Sequence, residues 1–316
     1  MSGDASSAQG AYDLLVFGRP SVDVMFSGLA AWPELDRDIE AEGLGVCAGT
    51  AFNTPAAANR IGLRVAYVAT IGNDVWSRMI LAEFEAERLP TDHLAVEDRP
   101  LPGLSVAFNH DGDRGFVTYW GSDEAYGAAL RARATEVART IDARHLHAYV
   151  DEVPDLETIA KRRGMTVSLD AFDGAGWMSE RPLAEGLANA DVLLANEMEV
   201  AAMTGEADPD RALDRLADHC GCVVVKRGSE GAMGLAGGVR TAVAADPVDV
   251  VDTTGAGDSF NAGFLAGWLA GLELQASLTL GVICGSRSVG DYGGYRGCPR
   301  ADEFRAIGAA GGITMP

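Results

Sequence analysis

The chain has 316 residues, 47% hydrophobic and 22% charged. That balance suits a large globular domain and excludes a disordered or fibrous chain. With 25 Lys and Arg against 46 Asp and Glu, the net charge is −21. Nucleic acid and anionic membrane surfaces repel such a chain at long range, so neither is an expected partner.

Residues 1–11 lack the basic and apolar regions of an export signal and are expected to form a disordered tail. From residue 12 to 316, short apolar runs alternate with helical patterns. The expected strands are Leu14–Phe17, Val65–Ile71, Ser105–Asn109, Phe116–Trp120, His145–Val150, Thr166–Leu169, Val192–Ala195, Val223–Lys226, Ala232–Leu235 and Val248–Val251. Helical stretches such as Ser77–Arg88, Leu156–Arg163 and Arg211–His219 lie between them. This alternation builds βαβ units, hence an α/β fold with a central, mostly parallel, twisted sheet and helices on both faces. Two segments break the rhythm. Residues 24–47 mix Gly, Pro and acidic residues, and residues 103–121 hold two short strands around His110 and Asp113. Both are expected to leave the main sheet as a small β-flap, or lid; two long surface loops are the plainer alternative.

The uncharged runs Ser259–Leu272 and Leu274–Ser286 fall short of the roughly 18 to 20 apolar residues that span a bilayer. Cys47, Cys220, Cys222, Cys284 and Cys298 are odd in number and not at zinc spacing, which suits reduced thiols in a cytoplasm. His145 and His147 share one strand face without a third ligand and are expected to be structural.

The stretch Asp252–Gly263 is the most informative. It follows the expected strand Val248–Val251 and precedes a helix marked by Phe260, Phe264 and Trp268. In such a strand–turn–helix, the N–H groups of Gly255, Ala256 and Gly257 point at the helix start and cradle a phosphate from backbone alone. Asp258 beside an anion site is electrostatically costly unless it accepts a proton from an attacking hydroxyl as a phosphoryl group arrives. An isolated Gly-Ala-Gly-Asp would favour a helix cap, but the full string with its strand and helix reverses that. A Walker A loop is excluded, because neither of the two lysines, Lys161 and Lys226, follows a glycine.

These residues resemble the ribokinase-like (PfkB) carbohydrate kinases. Asp252–Phe260 looks like the family's carboxy-terminal signature. Ala48–Gly62, with Gly49, Asn53 and Arg60, is similar to its amino-terminal signature, although Ala48 stands where a glycine is usual. Gly18–Asp23 and Ala69–Asp74 resemble two further turns, so the likeness runs from about residue 12 to about residue 306.

The resemblance implies a soluble, cytoplasmic, homodimeric kinase that moves the γ-phosphate of ATP to a hydroxyl of a small sugar. Asp258 would be the base, with Gly255, Ala256 and Gly257 as the anion hole and Asp23, Gly49 and Asn53 on the acceptor. Asn196 and Glu199 would lie near Mg²⁺, Glu199 acting through water. A helix cap with an acidic first turn explains that pair equally. Gly228 and Gly231 would pack along the nucleotide. Lys226 would meet a phosphate, or else face water at a strand end. Asp252 and Thr254 would hold a monovalent cation, K⁺. A nucleoside or vitamin kinase, and a sugar-phosphate sensor without activity, are the alternatives.

Overall fold

The computed structural model describes residues 11–101, 103–110, 113–121, 124–149, 154–171 and 183–314. The expected tail therefore lies outside the described residues except for Ala11, as do Val150 and the tip of the hairpin at residues 111 and 112.

The strands are β1 (Tyr12–Phe17), β2 (Pro20–Ser27), β3 (Gly43–Thr50), β4 (Val65–Ile71), β5 (Leu94–Val96), β6 (Gly103–His110), β7 (Asp113–Trp120), β8 (Ala143–Tyr149), β9 (Thr166–Asp170), β10 (Val192–Asn196), β11 (Cys222–Lys226), β12 (Ala232–Ala236) and β13 (Val239–Val243). The helices are α1 (Asn53–Arg60), α2 (Val75–Ala86), α3 (Glu124–Thr140), α4 (Pro154–Arg162), α5 (Leu183–Gly186), α6 (Glu197–Thr204), α7 (Pro209–Ala217), α8 (Ala256–Leu269), α9 (Leu274–Ser288) and α10 (Ala301–Ala310). Nine strands form one sheet in the order β13-β12-β11-β10-β9-β8-β1-β4-β5. All its pairings are parallel except β11 with β12 and β12 with β13.

Residue parity divides the core. Leu14, Val16, Val192 and Leu194 point to the side of α1, α2, α8, α9 and α10, whereas Leu15, Phe17, Leu193 and Ala195 pack with α3, α4, α6 and α7. A strand apolar on both faces needs cover on both, which explains the unbroken hydrophobic runs. The parallel strands β9, β10 and β11 end in Asp170, Asn196 and Lys226, and register sets Asn196 beside Lys226 and Asp170 beside Leu194, two residues earlier on β10. The carboxyl ends of such strands are where open α/β sheets bind ligands. His145 and His147 are buried on β8 and share Ser168 Oγ at 2.7 Å, a structural arrangement as expected.

A second sheet has four strands in the order β3-β2-β6-β7. It is mixed, with β2 and β6 parallel and the two outer pairs antiparallel. It uses Pro20–Ser27 and Gly43–Thr50, so it begins before residue 24 and continues past residue 47. β2 and β3 escape a propensity reading because Asp and Gly are poor strand formers. In the expected strand Val248–Val251 the alternation of valines misleads. Val248, Val250 and Val251 are 43%, 60% and 42% exposed, and the segment joins no sheet. The Val251 and Asp252 N–H groups instead donate to Val289 O at the end of α9, at 2.8 and 3.1 Å. Among the described residues no helix is long and apolar enough to cross a membrane.

Candidate active site

Helix α8 opens at Gly255, whose φ of +67° is left-handed and unfavourable for a side chain. A Cβ there would sit 2.4 Å from Gly294 Cα and 2.8 Å from Asn53 Nδ2. The turn thus runs hard against the first residues of α1. Asp258, in the first turn of α8, makes no cap of that helix. Its carboxylate reaches across to α1, where Thr54 Oγ1 donates to Oδ1 at 2.7 Å and Asn53 Nδ2 to Oδ2 at 3.2 Å. Burial pushes the Asp258 carboxyl up to about 6, with the Asp170 carboxylate adding to the rise. Thr54, Lys226 and Asn53 oppose it.

Asp23, on β2, is 8% exposed. Ser21 Oγ lies 2.9 Å from its Oδ1 and donates to it, and the same hydroxyl lies 2.7 Å from Thr50 Oγ1. In the pairing of β2 with β3, Gly49 stands opposite Ser21 and diagonal to Asp23, and a Cβ on Gly49 would lie 1.9 Å from Asp23 Oδ2. Only a missing side chain leaves room for that carboxylate. Burial raises the Asp23 carboxyl to about 6, the Ser21 hydrogen bond opposing and the Asp252 charge adding. Asn53 is 2% exposed, and its Oδ1 has no hydrogen-bond partner among the described residues. A buried acceptor left unsatisfied costs about 1–3 kcal/mol, so this oxygen is ready for a donor.

A cleft of about 890 Å³ lies beside Asp258 and is lined by Gly255, Ala256, Gly257, Asn196, Glu199, Lys226, Gly228 and Gly231. The helix start meets it with backbone N–H groups. Among the described residues Gly255 and Gly257 donate to no carbonyl, whereas the Ala256 N–H closes a turn on Thr253 O at 3.3 Å. Asn196 and Glu199 form a reciprocal cap of α6, at 2.7 and 2.9 Å, while bordering the cleft. The cap reading and a site role are thus compatible. Val282 of α9 and Val289 just after it also line the cleft.

Lys226 neither faces water nor projects freely. Its Nζ lies 3.2 and 3.4 Å from the Asp170 carboxylate oxygens and 3.4 Å from Asn261 Oδ1. Asn261 Nδ2 in turn donates to Asp170. Burial alone would lower the Lys226 ammonium, but the carboxylates of Asp170, Glu199 and Asp258 outweigh it and hold the amine charged. Asp170, Asn261 and Thr54 were not among the expected site residues. Asp170 could have been found as the polar residue ending a buried parallel strand, and the other two as polar members of the quoted motifs. Asp252 Oδ1 accepts from Thr254 N and Oγ1 at 3.0 and 2.8 Å, and Oδ2 from Gly293 N at 3.2 Å.

The model of the pfkB family carbohydrate kinases matches residues 42–301. The chain belongs to this family. As a pfkB carbohydrate kinase it transfers a phosphoryl group to an alcohol. An ATP-dependent ribose-1-phosphate kinase of Halopiger xanaduensis is 31% identical over 268 residues, 82% of this chain and 85% of that protein. A nucleoside kinase of Methanothermobacter thermautotrophicus is 26% identical over 297 residues, 92% of this chain and 94% of that protein. The ribokinase of Arabidopsis thaliana, solved with ribose and ATP, shares the fold at a TM-score of 0.77 and 23% identity, covering 94% of this chain and 99% of that one. The pfkB kinase described here thus combines the fold of ribokinase with a cleft at whose edge Asp258 is held by Asn53 and Thr54 of α1.

Proposed function

We propose that this kinase moves the γ-phosphate of ATP to a hydroxyl of a small sugar, with Asp258 accepting the hydroxyl proton. The observation that carries the reading is the placement of Asp258. One side of it is a glycine-rich helix start open to a large cleft, and the other is the Asn53 carboxamide. Asp23, Gly49 and Asn53 form the acceptor wall, where a carboxylate and an unsatisfied amide oxygen suit vicinal hydroxyls. As the acceptor oxygen bonds to the γ-phosphorus, its proton passes to Asp258. The bond from γ-phosphorus to the bridging oxygen breaks, and ADP leaves with that electron pair. Backbone N–H groups at the α8 start and the Lys226 ammonium meet the charge on the transferring group, so positioning and electrostatics supply the catalysis.

Among the described residues no cluster of three or more His, Cys, Asp and Glu is placed to hold a metal. That fits Mg²⁺ carried mainly on nucleotide phosphates, with Glu199 reached through water. When bound, Mg²⁺ draws charge from the β- and γ-phosphates. Asp252 is 2% exposed and pairs with no basic side chain among the described residues. A buried carboxylate without counter-charge is costly, so a monovalent cation such as K⁺ beside Asp252 and Thr254 fits the site.

The second sheet is the lid in this reading, since it carries Asp23 and Gly49 and would shield the reaction from water. Its other face exposes Leu44, Val117 and Tyr119, which suits homodimerisation and is checked by molar mass from light scattering. The buried free cysteines suit a cytoplasmic protein. Initial rates across sugars and nucleosides, with ATP, Mg²⁺ and K⁺, test the reading. Turnover confined to nucleosides moves the assignment to the second relative's class, and binding without turnover moves it to a sensor.

A further inference from the structure

We propose that the acceptor is an anionic monosaccharide, bearing a phosphate or a carboxylate, and that Arg19 binds this charge. The proposal rests on the sugar-kinase reading above and narrows its substrate class.

The starting point is the wall that carries Asp23. In β2, β6 and β7, strand pairing sets Ser21, Asp23, Gly103, Ser105, Thr118 and Trp120 on one face. Contacts trace that face toward the start of β2. A Cβ on Gly103 would touch the Trp120 six-membered ring at 2.6 Å and Ser21 Cβ at 3.2 Å, so the indole lies beside Ser21. Ser21 in turn hydrogen-bonds Asp23. Arg19 Cζ stands over the same indole, 5.4 Å from the ring centroid. Asp23, Ser21, Trp120 and Arg19 therefore form one continuous wall, with a carboxylate at one end and a guanidinium at the other.

Arg19 is half-buried, and among the described residues no carboxylate pairs with it. In a chain of net charge −21, a half-buried guanidinium with no such partner stands out. Contact with the indole restrains the guanidinium, and an arginine so held can present its planar N–H fork to phosphate or carboxylate as a bidentate site. The opposite signs at the two ends of the wall give the acceptor a direction. Hydroxyls go to Asp23 and Asn53, while an anionic substituent is repelled from Asp23 and drawn to Arg19. A neutral sugar has nothing to offer the guanidinium.

The test compares kcat/KM, with ATP and Mg²⁺, for ribose against ribose 1-phosphate and ribose 5-phosphate, and for glucose against gluconate. The expected result is a preference for an anionic member of at least about 10- to 100-fold, the size of a lost charge-assisted contact. The ribose set and the gluconate pair separate phosphate from carboxylate. In Arg19→Gln the anionic-to-neutral ratio should fall by a similar factor, mainly through KM, and Arg19→Lys should recover part of it. A purely structural role lowers both rates and leaves the ratio in place, which overturns the assignment to Arg19. Neutral sugars turned over as well as their anionic partners overturn the substrate class but keep the kinase reading. No turnover with any acceptor overturns both.

Discussion

Asn53 Nδ2 donates to Asp258 Oδ2 across 3.2 Å, although 205 residues separate the two in the chain. The bond joins the first turn of α1 to the first turn of α8 and faces two helix N-termini toward one carboxylate. Removing that carboxylate's charge tests the proposed chemistry most directly. Asp258→Asn keeps the shape and loses the base, so kcat should fall by roughly 10²- to 10⁴-fold. ATP affinity, read by titration calorimetry, should stay within a few-fold. Near-normal turnover rejects Asp258 as the base.

The pH profile follows from the same environment. A base must be unprotonated, and burial with the Asp170 charge raises Asp258 to about 6. Activity should therefore rise with pH through about 6 and level off above it, rather than near the ordinary carboxylate range. The charged groups facing Asp258 are Asp170 from β9 and Lys226 from β11, with Asn53 and Thr54 as neutral donors from α1. Loss of Asp170 removes a negative charge and leaves Lys226 unneutralised; both effects lower the Asp258 pKa. In Asp170→Asn the acid limb should move to lower pH, and in Lys226→Met to higher pH. Limbs that stay in place in both variants dissociate the pair from the base. Because Asp170 and Lys226 form a buried pair, Asp170→Asn should also cost about 3 to 5 kcal/mol of stability in denaturant titration.

Gly49→Ala probes the acceptor wall by volume alone. The new methyl would fall 1.9 Å from Asp23 Oδ2, a distance no atom pair tolerates, so the carboxylate must swing away. The KM for the acceptor should rise by at least about tenfold, while the KM for ATP, bound on the other side of Asp258, changes little. Equal rises in both constants would indicate a general collapse instead.

The buried Asp252 charge predicts a response to monovalent cations. Turnover in K⁺ should exceed turnover in an equal concentration of choline, a cation too large to enter. Asp252→Asn removes the unbalanced charge and should erase the difference. A rate indifferent to the cation in the unaltered protein rules the site out.

Much of this was legible in local order. Strand–helix alternation is written in period and composition, so the main sheet and its two-sided cover follow from the sequence. So do the glycines of the α8 start, because close backbone approach needs small residues wherever the chain goes. The failures share a cause. Val248–Val251 has the pattern of a strand, yet its backbone bonds to the end of α9, and only the position of α9 reveals that. β2 and β3 are expected only as a flap over residues 24–47, and their true bounds, Pro20–Ser27 and Gly43–Thr50, are blurred by the Asp and Gly residues they carry.

What the sequence by itself determined is the order of strands and helices and the motifs around Asn53 and Asp258 that mark a pfkB carbohydrate kinase. Tertiary structure alone decided what each of them meets. Lys226 became a buried partner of Asp170 and Asn261, Thr54 a donor to Asp258, and Arg19 the far end of a wall shared with Asp23. Charge–charge and hydrogen-bond energies depend on distance and burial, and residues remote in the chain acquire both only when the fold brings them together.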